Sequence, residues 1–363
     1  MLLGLGKGPH CLGGVGAHGD LTHIDVAVGH GDLAEVLLPG RLAPGGVLGD
    51  GSPRGCLRGL APRSTIPFAM RLVIAGGTGF LGGALQDHLG RLGHTVTVLT
   101  RRPRAAGQEA WTPDGSTGPW IAAVDGADAV INLAGEGIAD ARWTATRKAA
   151  LRSSRLLPTR SLVAAIRGAQ HPPALLNASG VGYYGDRGGE LVTEDTAAGT
   201  DFLADLCVEW EREAEQASST TRVVCLRNGL VMHPSGGALQ KMRLPFRLGV
   251  GGPLGSGTQY LPWIHLSDWV ALVTWLMATP EARGAFNVTA PSPATNAEFT
   301  RALGRAMRRP AFLPVPAFAL RLALGELADT LLTGQRAVPA RALAMGFTFR
   351  FSDIDRALHD LLR

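Results

Sequence analysis

A chain of 363 residues, 45% hydrophobic and with a formal net charge of +5, is long enough to bury one large core or two smaller ones. That balance argues against a fibrous or wholly disordered chain, and the positive charge forms no dense run, so an anionic substrate is compatible while nucleic acid is not an expected partner. Cys11, Cys56, Cys207 and Cys225 show neither metal-ligand spacing nor a disulfide framework, which suits a reducing cytoplasm, and the apolar stretch from Trp263 to Ala278 is too short to span a membrane. No metal site is expected.

Residues 1 to 69 carry glycine every few positions and no helical or strand periodicity. They are expected to be a disordered extension, or a stretch ahead of a true start at Met70. No apolar signal region follows Lys7, and Asp20, Asp25, Asp32 and Glu35 argue against an organelle transit peptide. His18, His23 and His30 have a spacing that could hold a metal, but an unfolded segment is the plainer reading.

From Leu72 the pattern changes. Leu72, Val73 and Ile74 read as a buried strand that runs into Gly76, Gly79 and Gly82, after which Leu81, Leu85, Leu89 and Leu92 fall at helical spacing. This is the arrangement that binds a dinucleotide. The first glycine permits the turn, the second lets backbone approach a pyrophosphate, the third lets helix pack on strand, and the helix amides meet the phosphates. Gly76, Thr78, Gly79, Phe80, Leu81 and Gly82 are assigned to that contact. The second strand, Thr95 to Thr100, ends in Thr100, Arg101 and Arg102, where an NAD site would place an acid for the ribose hydroxyls. Two guanidinium groups there attract the extra phosphate of NADP(H), which is therefore the expected cofactor; the plainer alternative is a solvated basic turn.

Two more strands follow, Ala129 to Leu133 running into Ala134 and Gly135, and Ala174 to Ala178 running into Ser179 and Gly180. Small residues at the carboxyl ends leave room for a ligand there. Arg222 to Leu226 continues the sheet, and Asn228 to Val231 follows toward the same edge. The expected fold is α/β: a Rossmann, doubly wound parallel sheet over residues 70 to 233, with a smaller C-terminal substrate-covering region over 234 to 363.

The residues from Met70 to Arg363 resemble the short-chain dehydrogenase/reductase superfamily in its extended, epimerase-like branch. More narrowly they resemble the atypical family labelled sugar-nucleotide epimerase or cell-division inhibitor. The resemblance rests on the glycine run, on Ile131 to Glu136, on Ala178 to Gly185, on Pro245 to Gly249, on Trp263 to His265 and on the segment from Phe312 onward, the family's C-terminal domain over about 312 to 363. It implies NADP contacts at the glycines, at Thr100 and Arg101, at Leu133 and Ala134, and near Val231; Arg102 and Gly135 adjoin these positions.

In the mainstream superfamily a Ser or Thr polarises the substrate, and a Tyr four residues before a Lys on one helix exchanges the proton, the lysine also holding the nicotinamide ribose. Ser179 matches the serine. The helix from Asp201 to Ala217 matches neither partner, its best register placing Leu203 at the tyrosine and Cys207 at the lysine. Cys207 also belongs to an apolar stripe with Leu203, Leu206, Trp210 and Ala214, where a thiol packs as a small hydrophobe. Tyr183 and Tyr184 lie close to Ser179 in sequence, and one is a candidate substitute acid; otherwise the pair walls the nicotinamide pocket. Arg155 falls where the mainstream family has an active-site Asn, and a cofactor contact is expected of it, against the alternative of a surface arginine.

On the substrate side, Gly249, Gly251, Gly252, Gly255 and Gly257 form a loop that resembles the segment closing over sugar nucleotides. Leu261 stands where related enzymes carry a diphosphate-binding Arg, with Arg243 and Arg247 as candidate replacements. His265 reads as a structural residue beside a Ser267 helix cap more readily than as a general acid. The tail is expected to hold an amphipathic helix from Pro316 to Leu332, an edge strand from Gly346 to Phe351 and a last helix capped by Ser352. These pieces either cover a small-molecule substrate or form a contact in a homo-oligomer. Two functions follow: an NADP-dependent oxidoreductase or epimerase with a non-standard active site, or a non-catalytic NADPH-binding sensor that has lost the catalytic pair.

Overall fold

The computed structural model describes residues 69 to 363; the leading segment, with His18, His23, His30, Cys11 and Cys56, lies outside the described residues. The apolar run after Met70 forms the strand Arg71–Ala75 in the interior of a seven-stranded sheet. In spatial order the strands are Gly284–Val288, Val223–Asn228, Ala174–Gly180, Ala129–Asn132, Arg71–Ala75, Thr95–Thr100 and Gln108–Ala110, and every neighbouring pair is parallel. The chain winds outward from the first strand to one edge, then returns to its other side and winds outward again. The reversal lies between Arg71–Ala75 and Ala129–Asn132, and a crevice opens beyond the carboxyl ends of such a pair.

Successive side chains of each strand feed opposite faces. Leu72, Ile74, Ile131, Leu176, Val224 and Leu226 pack under the helices Phe80–Arg91 and Leu266–Ala278 through Leu85, Leu89, Trp269, Leu272 and Leu276. Val73, Ala75, Val130, Leu175, Val223 and Cys225 pack on the other face with Leu162, Val163 and Ile166 of the helix Ala145–Gly168 and with Ala214 of the helix Phe202–Glu215. Both faces are covered, which is why these strands are continuous apolar runs rather than alternating ones.

Several local expectations change in the structure. The Rossmann sheet does not end at residue 233, because Gly284–Val288 forms its outer strand beside Val223–Asn228. Leu230–Met232 leaves that sheet and pairs with Trp263–His265. Gly346 to Phe351 is not a strand: the Asp268 carboxylate accepts from the amides of Arg350 and Phe351, at 3.1 and 2.8 Å, and removes them from any ladder. The helix expected from Pro316 to Leu332 breaks at Gly325, whose φ of +63° ends Ala317–Leu324 before a short turn and Asp329–Leu332. The last helix, Ile354–Leu362, is capped by Asp353 rather than Ser352. No described helix is long and apolar enough to cross a membrane.

Candidate functional site

The crevice is built first by the glycine loop. Gly76 has φ +77°, and a Cβ there would lie 2.6 Å from Leu133 O and 2.8 Å from Ala134 N, so backbone meets backbone at the winding reversal. A Cβ on Gly82 would lie 2.5 Å from Gly76 O, which is how closely the helix Phe80–Arg91 sits on its strand. Gly77, not singled out in the sequence, is also tight: a Cβ there would lie 2.7 Å from Val98 Cγ1. The helix begins at Gly79 with no side-chain cap and no acid in its first turn. Its first amides are thus free for an anion, with Thr78 and Gly79 exposed and Phe80 and Leu81 half-buried. This cradle, which a side chain would fill, fits a dinucleotide.

The remaining expected cofactor contacts surround the same edge. Thr100 is half-buried at the end of its strand, and Arg101 and Arg102 follow it exposed. Leu133 and Ala134 are half-buried, and Gly135 is exposed. Val231 is buried, and its carbonyl and the Phe80 ring both approach Gly237, at 3.2 and 3.4 Å from the Cβ position. Arg155, on the helix Ala145–Gly168, is buried behind Gly135, and burial pushes its pKa down. Beneath them, Asn132 Nδ2 donates to Asn177 Oδ1 at 2.7 Å and to Thr159 Oγ1 at 2.9 Å, and Trp210 Nε1 donates to Thr159 Oγ1 at 2.8 Å. This buried network ties two strands to two helices and fixes the floor of the site.

Ser179 ends the strand Ala174–Gly180 and is buried. Its Oγ donates to Glu211 Oε1 at 2.7 Å. Arg227 clamps the same carboxylate, Nε to Oε1 at 2.9 Å and Nη2 to Oε2 at 2.8 Å. Although burial opposes it, the bonds to Glu211 hold Arg227 above its ordinary pKa. Ser179 and Arg227 are partners in the parallel ladder, so the sheet itself places the guanidinium beside the serine. Leu203, Cys207 and Glu211 recur every four residues on one face of Phe202–Glu215. Leu203 packs on Gly182, 3.1 Å from its Cβ position, and the Cys207 thiol lies against Gly180, 3.7 Å from the corresponding point. Burial pushes the thiol up to about 11, so it stays protonated at neutral pH.

The two tyrosines separate sharply. Tyr184 is 0% exposed; its hydroxyl donates to Asn287 Oδ1 at 2.7 Å and accepts from Arg227 Nη1 at 2.9 Å. Burial, only partly offset by Arg227, pushes its pKa up to about 12. A phenol so sealed does not exchange protons with a substrate. Tyr183 is half-buried, with the Arg227 guanidinium stacked 3.4 Å from its ring centroid. The short helix Val181–Tyr184 thus sends one ring into the core and leaves the other beside the cleft. Glu211 and Arg227 were missed from sequence; the available signal was an acid one turn beyond Cys207 on an otherwise apolar stripe.

On the substrate side, Leu261 is half-buried, and Arg243 Nη1 turns back to donate to Pro234 O at 3.2 Å. Arg336 instead stands 5.4 Å from the ring of Tyr260, next to Leu261. His265 is structural in its contacts: Nδ1 accepts from the Ser267 amide at 3.0 Å, and the ring stacks on Phe351 at 4.0 Å.

The model of the NAD dependent epimerase/dehydratase family matches residues 72 to 289, and a domain of unknown function (DUF1731) matches residues 315 to 361. An epimerase family protein of Mycobacterium bovis is 45% identical over 290 residues, 79% of this chain and 96% of that protein. The structure of human epimerase family protein SDR39U1 (isoform 2) with NADPH superposes with a TM-score of 0.76 at 38% identity, covering 81% of this chain and 99% of that one. A nucleoside-diphosphate sugar epimerase from Corynebacterium glutamicum gives a TM-score of 0.68 at 32% identity, covering 81% and 58%. With the glycine cradle at the winding reversal and sequence identity along both domains, the chain belongs to the NAD dependent epimerase/dehydratase family.

Proposed function

We propose that the protein binds NADP(H) and acts as an oxidoreductase or epimerase on a small substrate bearing a hydroxyl or carbonyl group, a sugar nucleotide being one candidate. Gly76 to Gly82 hold the pyrophosphate, Thr100, Arg101 and Arg102 the adenosine phosphate, and Leu133, Ala134, Gly135 and Val231 the nicotinamide half, with Arg155 as a further cofactor contact. The bound nicotinamide supplies the hydride donor or acceptor. NADPH in the human relative supports the cofactor half of this reading. Ser179 carries the chemical half: its hydroxyl is fixed at the carboxyl edge by a carboxylate that is itself clamped. With its hydrogen committed to Glu211, Ser179 offers a lone pair to a substrate hydroxyl, and Tyr183 is the phenol left accessible for proton transfer.

A second reading, a non-catalytic NADPH-binding redox sensor, is favoured by Leu203 and by the buried, protonated Cys207 where the proton-exchanging pair would stand. The two are separated by mixing the NADPH-loaded protein with fractionated small-metabolite extract and following nicotinamide absorbance, together with a product assay for redox-neutral isomerisation. Turnover that disappears in Ser179→Ala supports the enzyme. Tight NADPH binding with neither consumption nor product in any fraction supports the sensor.

A further inference from the structure

Arg155 is 7% exposed, yet it has no carboxylate partner among the described residues. Its hydrogen bonds go to neutral oxygens: Nη1 to Leu151 O at 3.0 Å and Ser154 Oγ at 3.5 Å, and Nη2 to Glu136 O at 2.9 Å. The comparison within the same site is Arg227, equally buried but met by both oxygens of Glu211. A buried cation without a counter-charge is destabilising, so its retention calls for an anionic partner supplied from outside the chain.

The position says where that partner lies. A Cβ on Gly135 would be 3.3 Å from Arg155 Cγ and Cζ, so the guanidinium backs directly onto an exposed glycine at the carboxyl edge of the sheet. The guanidinium also lies 5.2 Å from the ring of Trp210, three residues beyond Cys207 and on the same helix face. It therefore occupies the space between the winding reversal and the helix that carries Leu203, Cys207 and Glu211. The basic pair Arg101 and Arg102 stands at the end of a different strand, on the other side of Arg71–Ala75.

We infer that Arg155 anchors the nicotinamide half of the dinucleotide, binding its ribose and phosphate oxygens from the helix Ala145–Gly168 in place of the lysine whose position Cys207 occupies. This rests on the NADP(H) reading and adds which end of the cofactor the cation holds. Arg155 is a positioning residue in this role; it fixes the cofactor and transfers no proton.

The test uses the full chain and two ligands, NADPH and adenosine 2′,5′-bisphosphate, the fragment that keeps the extra phosphate but lacks the nicotinamide ribose. Dissociation constants are measured for the wild type, Arg155→Met and Arg155→Lys, with the melting temperature of each protein without ligand. In Arg155→Met, NADPH affinity falls roughly 10- to 100-fold while the fragment changes less than about 2-fold. The melting temperature does not fall, because Met fills the space without a buried charge, and Arg155→Lys recovers part of the NADPH affinity. Unchanged NADPH affinity in Arg155→Met overturns the inference, as does an equal loss for both ligands with a lower melting temperature. A wild type that binds neither ligand overturns the NADP(H) reading itself.

Discussion

Ser179 Oγ and Glu211 Oε1 are 2.7 Å apart, joining the end of one strand to the third turn of the helix Phe202–Glu215. The same carboxylate accepts two bonds from Arg227, whose side chain is 6% exposed. Glu211→Ala leaves that guanidinium buried without its counter-charge, and the expected loss of stability is about 3–5 kcal/mol. Glu211→Gln keeps the shape and loses less. In both, NADPH affinity stays close to wild type while any Ser179-dependent turnover falls. Urea denaturation with a parallel NADPH titration measures the two effects, and a fall in NADPH affinity equal to the fall in turnover would contradict this assignment.

Cofactor choice is expected to rest on Arg101 and Arg102, both exposed after the second strand. Arg101→Ala should weaken NADPH roughly 10-fold or more and leave NADH within about 2-fold, because only NADPH carries the phosphate that a guanidinium can pair with. Equal loss for both nucleotides, measured by fluorescence titration, would return these arginines to a solvated turn.

Two glycines on one helix give opposite expectations. A Cβ on Gly82 would sit 2.5 Å from Gly76 O and from Gly77 Cα, so Gly82→Ala pushes the helix off its strand. A cost of about 1–3 kcal/mol and loss of NADPH binding are expected. A Cβ on Gly90 would meet nothing within 4 Å, so Gly90→Ala gains about 0.5–1 kcal/mol from helix propensity and leaves binding alone. Thermal melts with and without NADPH distinguish the two.

The loop carrying Tyr183 is braced from the C-terminal domain. Arg187 N donates to Gly334 O at 3.1 Å and Gln335 Nε2 to Gly185 O at 2.7 Å, while Arg336–Ala337 pairs with Leu191–Val192. Arg341 N donates to Glu194 Oε2 at 3.2 Å, and its Nη2 to Asp195 Oδ1 at 2.6 Å. Gln335→Ala combined with Arg341→Ala should raise amide exchange across residues 183 to 195 by about 10-fold or more, with the helix Phe80–Arg91 unchanged. Exchange rising equally in that helix would mean general destabilisation instead.

The parts legible in sequence were those set by neighbours along the chain. An apolar run ending in spaced glycines dictates strand, turn and helix within a dozen residues, and Ser179 follows directly from the end of its strand. Glu211 and Arg227 acquire meaning only when Val223–Asn228 pairs with Ala174–Gly180 and sets Arg227 opposite Ser179. Nothing local separates Tyr183 from Tyr184; a single short turn with ring planes 80° apart leaves one half-buried against Arg227 and sends the other to Asn287. Gly346 to Phe351 shows the converse, an alternating pattern whose amides a distant carboxylate, Asp268, takes instead.

His265 provides a pH dependence with a defined sign. The ring is buried against Phe351, and burial, outweighing the attraction of Asp360 and Asp268, holds its pKa below the ordinary 6.5. The folded state therefore favours the neutral ring more than the unfolded chain does. The resulting stability is fully present above pH 6.5, falls as the pH drops below 6.5, and levels off once the folded-state pKa is passed. His265→Asn retains a side chain that can cap the Ser267 amide but cannot titrate. Melting temperatures of the two proteins from pH 8 to about pH 5 should converge as the pH falls, with wild type losing more. Parallel curves would place the acid sensitivity elsewhere, His88 and His233 being the other histidines among the described residues whose pKa burial lowers.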